Sequence, residues 1–396
     1  MTPPRTAPEE ASSDPGIAIE PELEGETVER AVARIDLGAV SRNCAHLRSL
    51  LRGSAELCAV VKADGYGHGA TPCARAALNG GATWLAVATA REAQALRTGG
   101  IDCRLLVMGA LTPSNARTAV RASAEVVAWR EDLVEQLAEL ARAAPVRVHV
   151  KLDTGMGRLG TADRDEAARV AARVAAHPRL ELAGVMTHFA TADELDDDHF
   201  PAQLQAFTSF VEEMRALYPD LVAHAANSAA TYRDPAAHFD LVRCGVAVYG
   251  LDPFQRDPTE RGLEPALALE SYVAEVKPLA PGESAGYGRR FVASEATCIG
   301  VLPIGYGDGV RRGLTSNAEV LVGGRRRPLV GTVSMDNITI DLGPDTHVRV
   351  LDPAVLIGAQ GDKRLTAEDM ARRLDTINYE VTCGLSPRVE RAYIGE

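Results

Sequence analysis

The stretch CAVVKADGYGHGA, residues 58–70, decides how the chain is read. Cys58 to Val61 is an uncharged apolar run, and Lys62 stands where it stops. Glycines and Tyr66 follow at once, the composition of a loop. A short apolar run closed by a loop reads as a buried strand. The lysine at its end either reaches out to solvent or is placed to do chemistry.

Working outward, the run containing this stretch is the first of eight: LCAVVKA, WLAVAT, CRLLVMGA, AEVVAW, VRVHVKLD, LAGVMTHF, LVAHAANS and LVRCGVAVYG, between about Arg30 and Gly250. Between most of them lie Ala/Arg/Glu-rich segments with helical spacing, such as Arg130–Ala144 and Arg164–His177. Short buried strands alternating with such helices predict parallel β/α units, and eight of them predict a (β/α)8 TIM barrel. A doubly wound open sheet fits the same periodicity, because periodicity does not show closure. After Leu251 the pattern changes to Val/Ile/Leu-rich runs broken by Gly and Pro, which read as antiparallel strands and hairpins. One late helix is expected over Thr366–Leu374, with Thr366 as its N-cap.

The predicted organisation is a disordered tail over 1–28, an α/β barrel over 29–262 and a mostly β domain over 263–396. The strand around 32–38 is a candidate to join the β domain. The tail holds seven acids against the single Arg5 up to Glu26, and cannot bury enough apolar area to order itself. It lacks the basic start and apolar core of a secretory signal, so the cytoplasm is the expected compartment. A net charge of −12 with no dense Lys/Arg run argues against nucleic acid as a partner. The apolar runs fall far short of the ~20 residues that a membrane helix needs. The seven cysteines are scattered, with no CxxC pair, which fits reduced thiols and no zinc or other metal.

The active site of a TIM barrel lies at the C-terminal ends of its strands. Read to its end, each strand contributes to one polar set: Lys62, Lys151 and Asp153, His188, His224 with Asn227 and Ser228, then Arg243 and Tyr249. Each has a bland reading: a snorkelling lysine, a satisfied core histidine, half of an internal ion pair. Together they need partners, since buried charges do. A lysine that forms a Schiff base, small donors for a phosphate and an arginine for the edge of a heteroaromatic ring match pyridoxal 5′-phosphate. A Schiff-base aldolase would use the lysine but not the arginine.

From about residue 32 to the C-terminus the chain resembles the alanine racemases. The resemblance rests on VVKADGYGHG, KLDTGMGRLG, THFATADE, HAANSAA, FDLVRCGVAVYG, PIGYGDG, MDN and TINYE, in that order, with Tyr287 and Tyr306 at the family's spacing. It implies that Lys62 is the covalent anchor of the cofactor. Tyr66, Ser228, Tyr379 and the N–H groups of Gly245 and Val246 are implied as phosphate ligands. Asn227 and His188 are implied beside the cofactor. Arg243 is implied at the pyridine nitrogen, with His224 holding it. An arginine there keeps its own proton, so the ring nitrogen stays unprotonated and is a weaker electron sink.

Racemisation needs proton transfer on both faces of Cα. The resemblance assigns the D-face to Lys62 and the L-face to Tyr287 of a second subunit, which requires a homodimer. Arg158 and the Met335 N–H are implied at the substrate carboxylate, Tyr306 at a narrow entrance and Asp336 in support of that loop. His188 and Arg158 are also implied to orient and tune Tyr287. Lys151 is expected to be carbamylated; its bland alternative is an ion pair with Asp153. Gly65, Gly307, the AGYG before and at Tyr287, and Ser334 depart from the commoner family residues. The last two bear on strictness for alanine over serine. A barrel-fold decarboxylase and a protein that only carries the cofactor are the competing functions.

Overall fold

The computed structural model describes residues 29–142 and 144–395, so the tail predicted over 1–28 lies outside the described residues. The first strand, β1 (Ala31–Asp36), precedes eight parallel strands. These are β2 (Glu56–Val60), β3 (Trp84–Val87), β4 (Arg104–Val107), β5 (Glu125–Ala128), β6 (Val146–Lys151), β7 (Leu180–Met186), β8 (Val222–His224) and β9 (Leu241–Cys244). They correspond one for one to the eight runs read from the sequence. From β2 to β8 each strand pairs with the next in chain order, and β9 pairs with β2, with Cys58 opposite Arg243. Between β8 and β9 the Asp240 N–H donates to the Ala223 carbonyl (3.1 Å) and the Arg243 N–H to that of Ala226 (2.9 Å). The sheet is therefore a nearly closed barrel, not an open one.

Helices cover the barrel because their apolar residues recur on one face. In Arg164–Ala176 the buried residues are Ala167, Val170, Ala171 and Val174, and Asp163 caps the start by accepting from the Asp165 and Glu166 N–H groups. Glu131–Leu140 buries Leu133, Val134, Leu137 and Ala138 in the same way.

The β domain is built from β10 (Leu267–Tyr272), β11 (Glu275–Leu279), β12 (Ser284–Ala285), β13 (Phe291–Val292), β14 (Thr297–Leu302), β15 (Glu319–Val322), β16 (Arg325–Val330), β17 (Ile338–Gly343), β18 (Pro353–Gln360), β19 (Lys363–Leu365) and β20 (Glu390–Ile394). Strand β1 pairs antiparallel with β10 and parallel with β20. The first and last strands of the described residues thus lie in one sheet, with the barrel between. The helix Ala367–Leu374 begins in a capping box of Thr366 and Asp369.

The turn after β2 places Lys62. Ala63, Asp64 and Gly65 follow one another at φ 51°, 51° and 62°, a left-handed turn. Each non-glycine residue held there costs about 1–2 kcal/mol, so the surroundings must impose it. The Glu92 carboxylate accepts from the Ala63 N–H (2.7 Å), and that of Asp64 accepts from the Ala70 N–H (2.8 Å). Gly67 has φ 86°, and a Cβ on it would stand 2.2 Å from the Thr382 carbonyl oxygen of the β domain.

His68 is fully buried beneath this turn, with Nδ1 3.1 Å from the Gly65 carbonyl and 3.0 Å from that of Tyr66. Two carbonyl partners require Nδ1 to carry the proton, while among the described residues Nε2 has no partner. Burial holds the imidazole down at about 4 against an ordinary 6.5, so it is neutral in the folded state. In acid the unfolded chain takes up that proton first. The stability His68 contributes is therefore complete above pH 6.5 and is lost as the pH falls towards about 4, a difference of about 3 kcal/mol.

His68→Gln is predicted to lower the midpoint of thermal unfolding at pH 7 and to flatten its dependence between pH 6.5 and 4. Parallel pH curves for the variant and the parent would show that His68 does not titrate on unfolding.

Candidate active site

At the C-terminal ends of the strands lies a cavity of about 280 Å3. Lys62, Tyr66, Arg158, His188, Asn227, Ser228, Arg243, Gly245, Val246 and Tyr379 all line it. A larger cleft, about 760 Å3, opens at the opposite end of the barrel, on the floor formed by the strand starts. We place the site at the strand ends because the convergent titratable groups are there.

Arg243 is the deepest of them, 3% exposed. Its Nη1 donates to His224 Nδ1 (2.8 Å). Its Nη2 donates to the carbonyls of Thr187 (2.9 Å) and Ala225 (3.0 Å), with His188 Nδ1 at 3.2 Å. Among the described residues its Nε has no partner. Burial lowers the guanidinium to about 10, which leaves it protonated at neutral pH. Burial, and then the Arg243 charge, hold both His224 and His188 well below the ordinary imidazole range. Both rings are therefore neutral acceptors.

Burial, and next the Arg158 charge, lower Lys62 from its ordinary value. Lys151, at the end of β6, is brought down to about 8 by burial and then by Arg243 and Arg158. It is not paired with Asp153: that carboxylate accepts the N–H groups of Gly155 (3.0 Å), Met156 (2.7 Å), Gly157 (2.8 Å) and Arg158 (3.3 Å). Asp153 thus shapes the loop that carries Arg158, and Lys151 Nζ has no polar partner among the described residues.

Opposite Arg243 the donors are small. Ser228 Oγ accepts from the Gly245 N–H (3.0 Å) and, at longer range, the Ala247 N–H (3.4 Å), which leaves its own hydroxyl proton free to donate. Asn227 caps the helix Ser228–Arg233, its Oδ1 accepting from the Ala230 N–H (2.9 Å). Tyr66 packs on Tyr249 with ring centres 5.2 Å apart and meets Tyr379 edge-on at 6.4 Å. A Cβ at position 245 would lie 2.3 Å from the Tyr66 hydroxyl, so glycine is required for the two to sit together.

Three cations, Lys62, Arg158 and Arg243, line this cavity against one acid, Asp193. Such a site favours an anion, and its small donors suit a phosphate. A guanidinium held at the base suits the edge of an aromatic nitrogen heterocycle. The residues present therefore fit pyridoxal 5′-phosphate.

Tyr287, Tyr306, Met335 and Asp336 are elsewhere. All four belong to the β domain and none lines the cavity. Tyr287 is 74% exposed, Met335 51% and Tyr306 44%. They nevertheless share one neighbourhood: Thr332 donates to the Tyr287 carbonyl (2.8 Å), and the N–H groups of Tyr306 and Gly307 donate to the carbonyls of Ser334 (3.0 Å) and Met335 (2.9 Å). Asp336 pairs with Arg388 at 2.7 Å.

The sequence reading missed His68, although it lies within VVKADGYGHG. It also missed His149 and Glu125, which stand behind His224. A signal for His149 exists: Arg147, His149 and Lys151 alternate with valines along β6, so they share one face of the strand.

The chain matches the alanine racemase N-terminal domain over residues 35–253 and the C-terminal domain over 266–393. It is 42% identical to an alanine racemase of Geobacillus stearothermophilus, over 91% of this chain and 92% of that protein. To one of Thermobifida fusca it is 43% identical, over 92% of this chain and 98% of that protein. An alanine racemase structure from a D-cycloserine-producing Streptomyces lavendulae superposes with a TM-score of 0.88 at 38% identity, covering 94% of this chain and 98% of that one. One from Bacillus anthracis with bound L-Ala-P gives 0.85 at 35% identity, covering 94% and 97%. On fold, cavity and sequence together, this chain belongs to the alanine racemase family.

Proposed function

We infer that the protein interconverts L-alanine and D-alanine with pyridoxal 5′-phosphate, by two bases on opposite faces of Cα. The observation that supports it most is the cation-lined cavity, with Lys62 lowered by burial and Arg243 held at its base. Bound there, the cofactor supplies the electron-withdrawing ring that loosens the α-proton of an attached amino acid.

The residues divide the remaining work. Lys62 anchors the cofactor covalently and moves the proton on the D-face. Tyr66, Ser228, Tyr379 and the N–H groups of Gly245 and Val246 hold the phosphate, with Asn227 fixing the helix that carries Ser228. Arg243 donates to the pyridine nitrogen and keeps its proton, which limits the charge the ring takes up and so disfavours side reactions. Arg158 receives the substrate carboxylate. A lysine brought down to about 8 is in part a free amine at neutral pH. Lys151 can therefore add CO2, forming an N–C bond and releasing one proton; the resulting anion would hold Arg158.

The barrel, β2 to β9, lacks the second base, and the β domain exposes Tyr287, Tyr306 and Met335 to solvent. We propose a homodimer in which this surface caps the barrel mouth of a second copy. Tyr287 then serves the L-face, His188 and Arg158 orient it, Tyr306 narrows the entrance, and the Met335 N–H meets the substrate carboxylate on a loop braced by Asp336. Among the described residues no helix is long and apolar enough to cross a membrane. A cytoplasmic enzyme supplying D-alanine for peptidoglycan completes the reading. A decarboxylase has no use for the Tyr287 surface.

Lys62→Ala is predicted to abolish both racemisation and borohydride-stable attachment of the cofactor; attachment at the parent level would identify another lysine as the anchor. Tyr287→Ala is predicted to slow solvent-deuterium exchange at Cα of L-alanine more than of D-alanine, and equal losses with cofactor retained would refute the two-base division. Mixing Lys62→Ala with Tyr287→Ala subunits is predicted to restore roughly a quarter of the activity at most, since half of the dimers are mixed and one site in each is whole. No recovery despite proven exchange of subunits would place both residues in one chain.

A further inference from the structure

Arg243 is a buried cation that touches no carboxylate among the described residues. Its contacts are two carbonyls and two imidazoles. One of those imidazoles leads further. His224 Nε2 lies 2.9 Å from His149 Nδ1, and His149 Nε2 lies 2.8 Å from a Glu125 oxygen. Arg104 then clasps Glu125 through Nε (2.6 Å) and Nη2 (2.9 Å). The guanidinium of Arg104 lies 3.5 Å over the Trp84 ring. His149 and His224 are fully buried and Glu125 nearly so. The chain of contacts runs down the barrel axis from the cofactor-binding end to the floor.

The direction of every bond in this chain is fixed from one end. Arginine only donates, so His224 Nδ1 must accept and the ring's proton must sit on Nε2. That proton points at His149 Nδ1, which must therefore accept, and the His149 proton sits on Nε2, aimed at Glu125. Had either ring the other tautomer, two donors would face each other in a site without water to separate them.

We propose that Glu125 and His149 are positioning residues for Arg243: the guanidinium sets the direction of the chain, and the carboxylate, itself held by Arg104, gives the last Nε2–H its acceptor and so anchors both imidazoles under Arg243. The inference rests on the reading that Arg243 faces the cofactor's pyridine nitrogen. Its consequence is that Arg243 cannot turn away from that nitrogen or shed its charge without breaking a chain anchored at the barrel floor.

Nitrogen-15 NMR of the purified enzyme labelled at histidine tests this directly. His149 and His224 are expected to be neutral at pH 7 with the proton on Nε2. His149→Phe keeps a ring beside Trp84 and leaves the Glu125–Arg104 pair in place. It is expected to leave the His224 Nε2–H without its acceptor, shifting the His224 nitrogen signals, and to lower kcat roughly tenfold, with KM and cofactor content held. Either histidine found protonated on Nδ1 or as imidazolium in the parent enzyme overturns the proposal. So does His149→Phe with both the His224 spectrum and kcat unchanged, or with kcat alone unchanged. If His149→Phe does not fold, Glu125→Gln takes its place: a lower kcat at constant KM supports the proposal and an unchanged kcat overturns it. The cofactor reading fails separately, by loss of borohydride attachment at Lys62, which none of these measurements uses.

Discussion

A guanidinium enclosed in the middle of a barrel, with no carboxylate in contact, is the constraint around which this structure is arranged. A buried charge must be solvated by the protein itself. Here the solvation comes from carbonyls at the ends of neighbouring strands, Thr187 and Ala225, and from two imidazoles. These are available only because β7, β8 and β9 end at the same level around a nearly closed sheet. An open sheet would leave one side of Arg243 unsolvated or wet. Burial first and then the cation set the state of its surroundings: together they keep His188 and His224 neutral and lower Lys151.

The lysine at the mouth is fixed by a different means, local strain imposed from a distance. A left-handed turn at Ala63 and Asp64 is not one these residues choose. It is held by Glu92 at the start of the helix Ala90–Thr98, by His68 below, and by the β domain on the outer side. There Arg391 donates to the Gly67 carbonyl (3.2 Å), and Tyr393 fills the space where a side chain at 69 would be. Both residues lie on β20, which pairs with β1. The loop that follows Lys62 is thus held by the last of the described strands.

The two groups of candidate catalytic residues differ in kind. Those on the barrel are enclosed and electrostatically coupled to one another. Those on the β domain are exposed large side chains gathered on loops. Aromatic side chains that protrude this far bury apolar area only against another surface. None of the exposed group lines the barrel cavity, and that is the physical ground of the dimer proposal.

The sequence by itself determined the eight barrel strands, because each buried run is short, apolar and bounded by a helix-forming segment. It also determined the family, because long motifs occur in a fixed order. It yielded the residues at the strand ends for the same reason: a charge placed where an apolar run stops is visible in one dimension. Only the tertiary structure decided closure of the sheet, since period-two alternation is the same in an open sheet and a barrel. The pairing of β1 with β10 and β20 was likewise decided there, across more than two hundred residues of intervening chain. It also decided that Asp153 spends its oxygens on backbone N–H groups and not on Lys151, and that Glu125, His149 and His224 form one line. Hydrogen bonds between strands depend on register and on side-chain direction inside the barrel, and neither is written in the order of the residues.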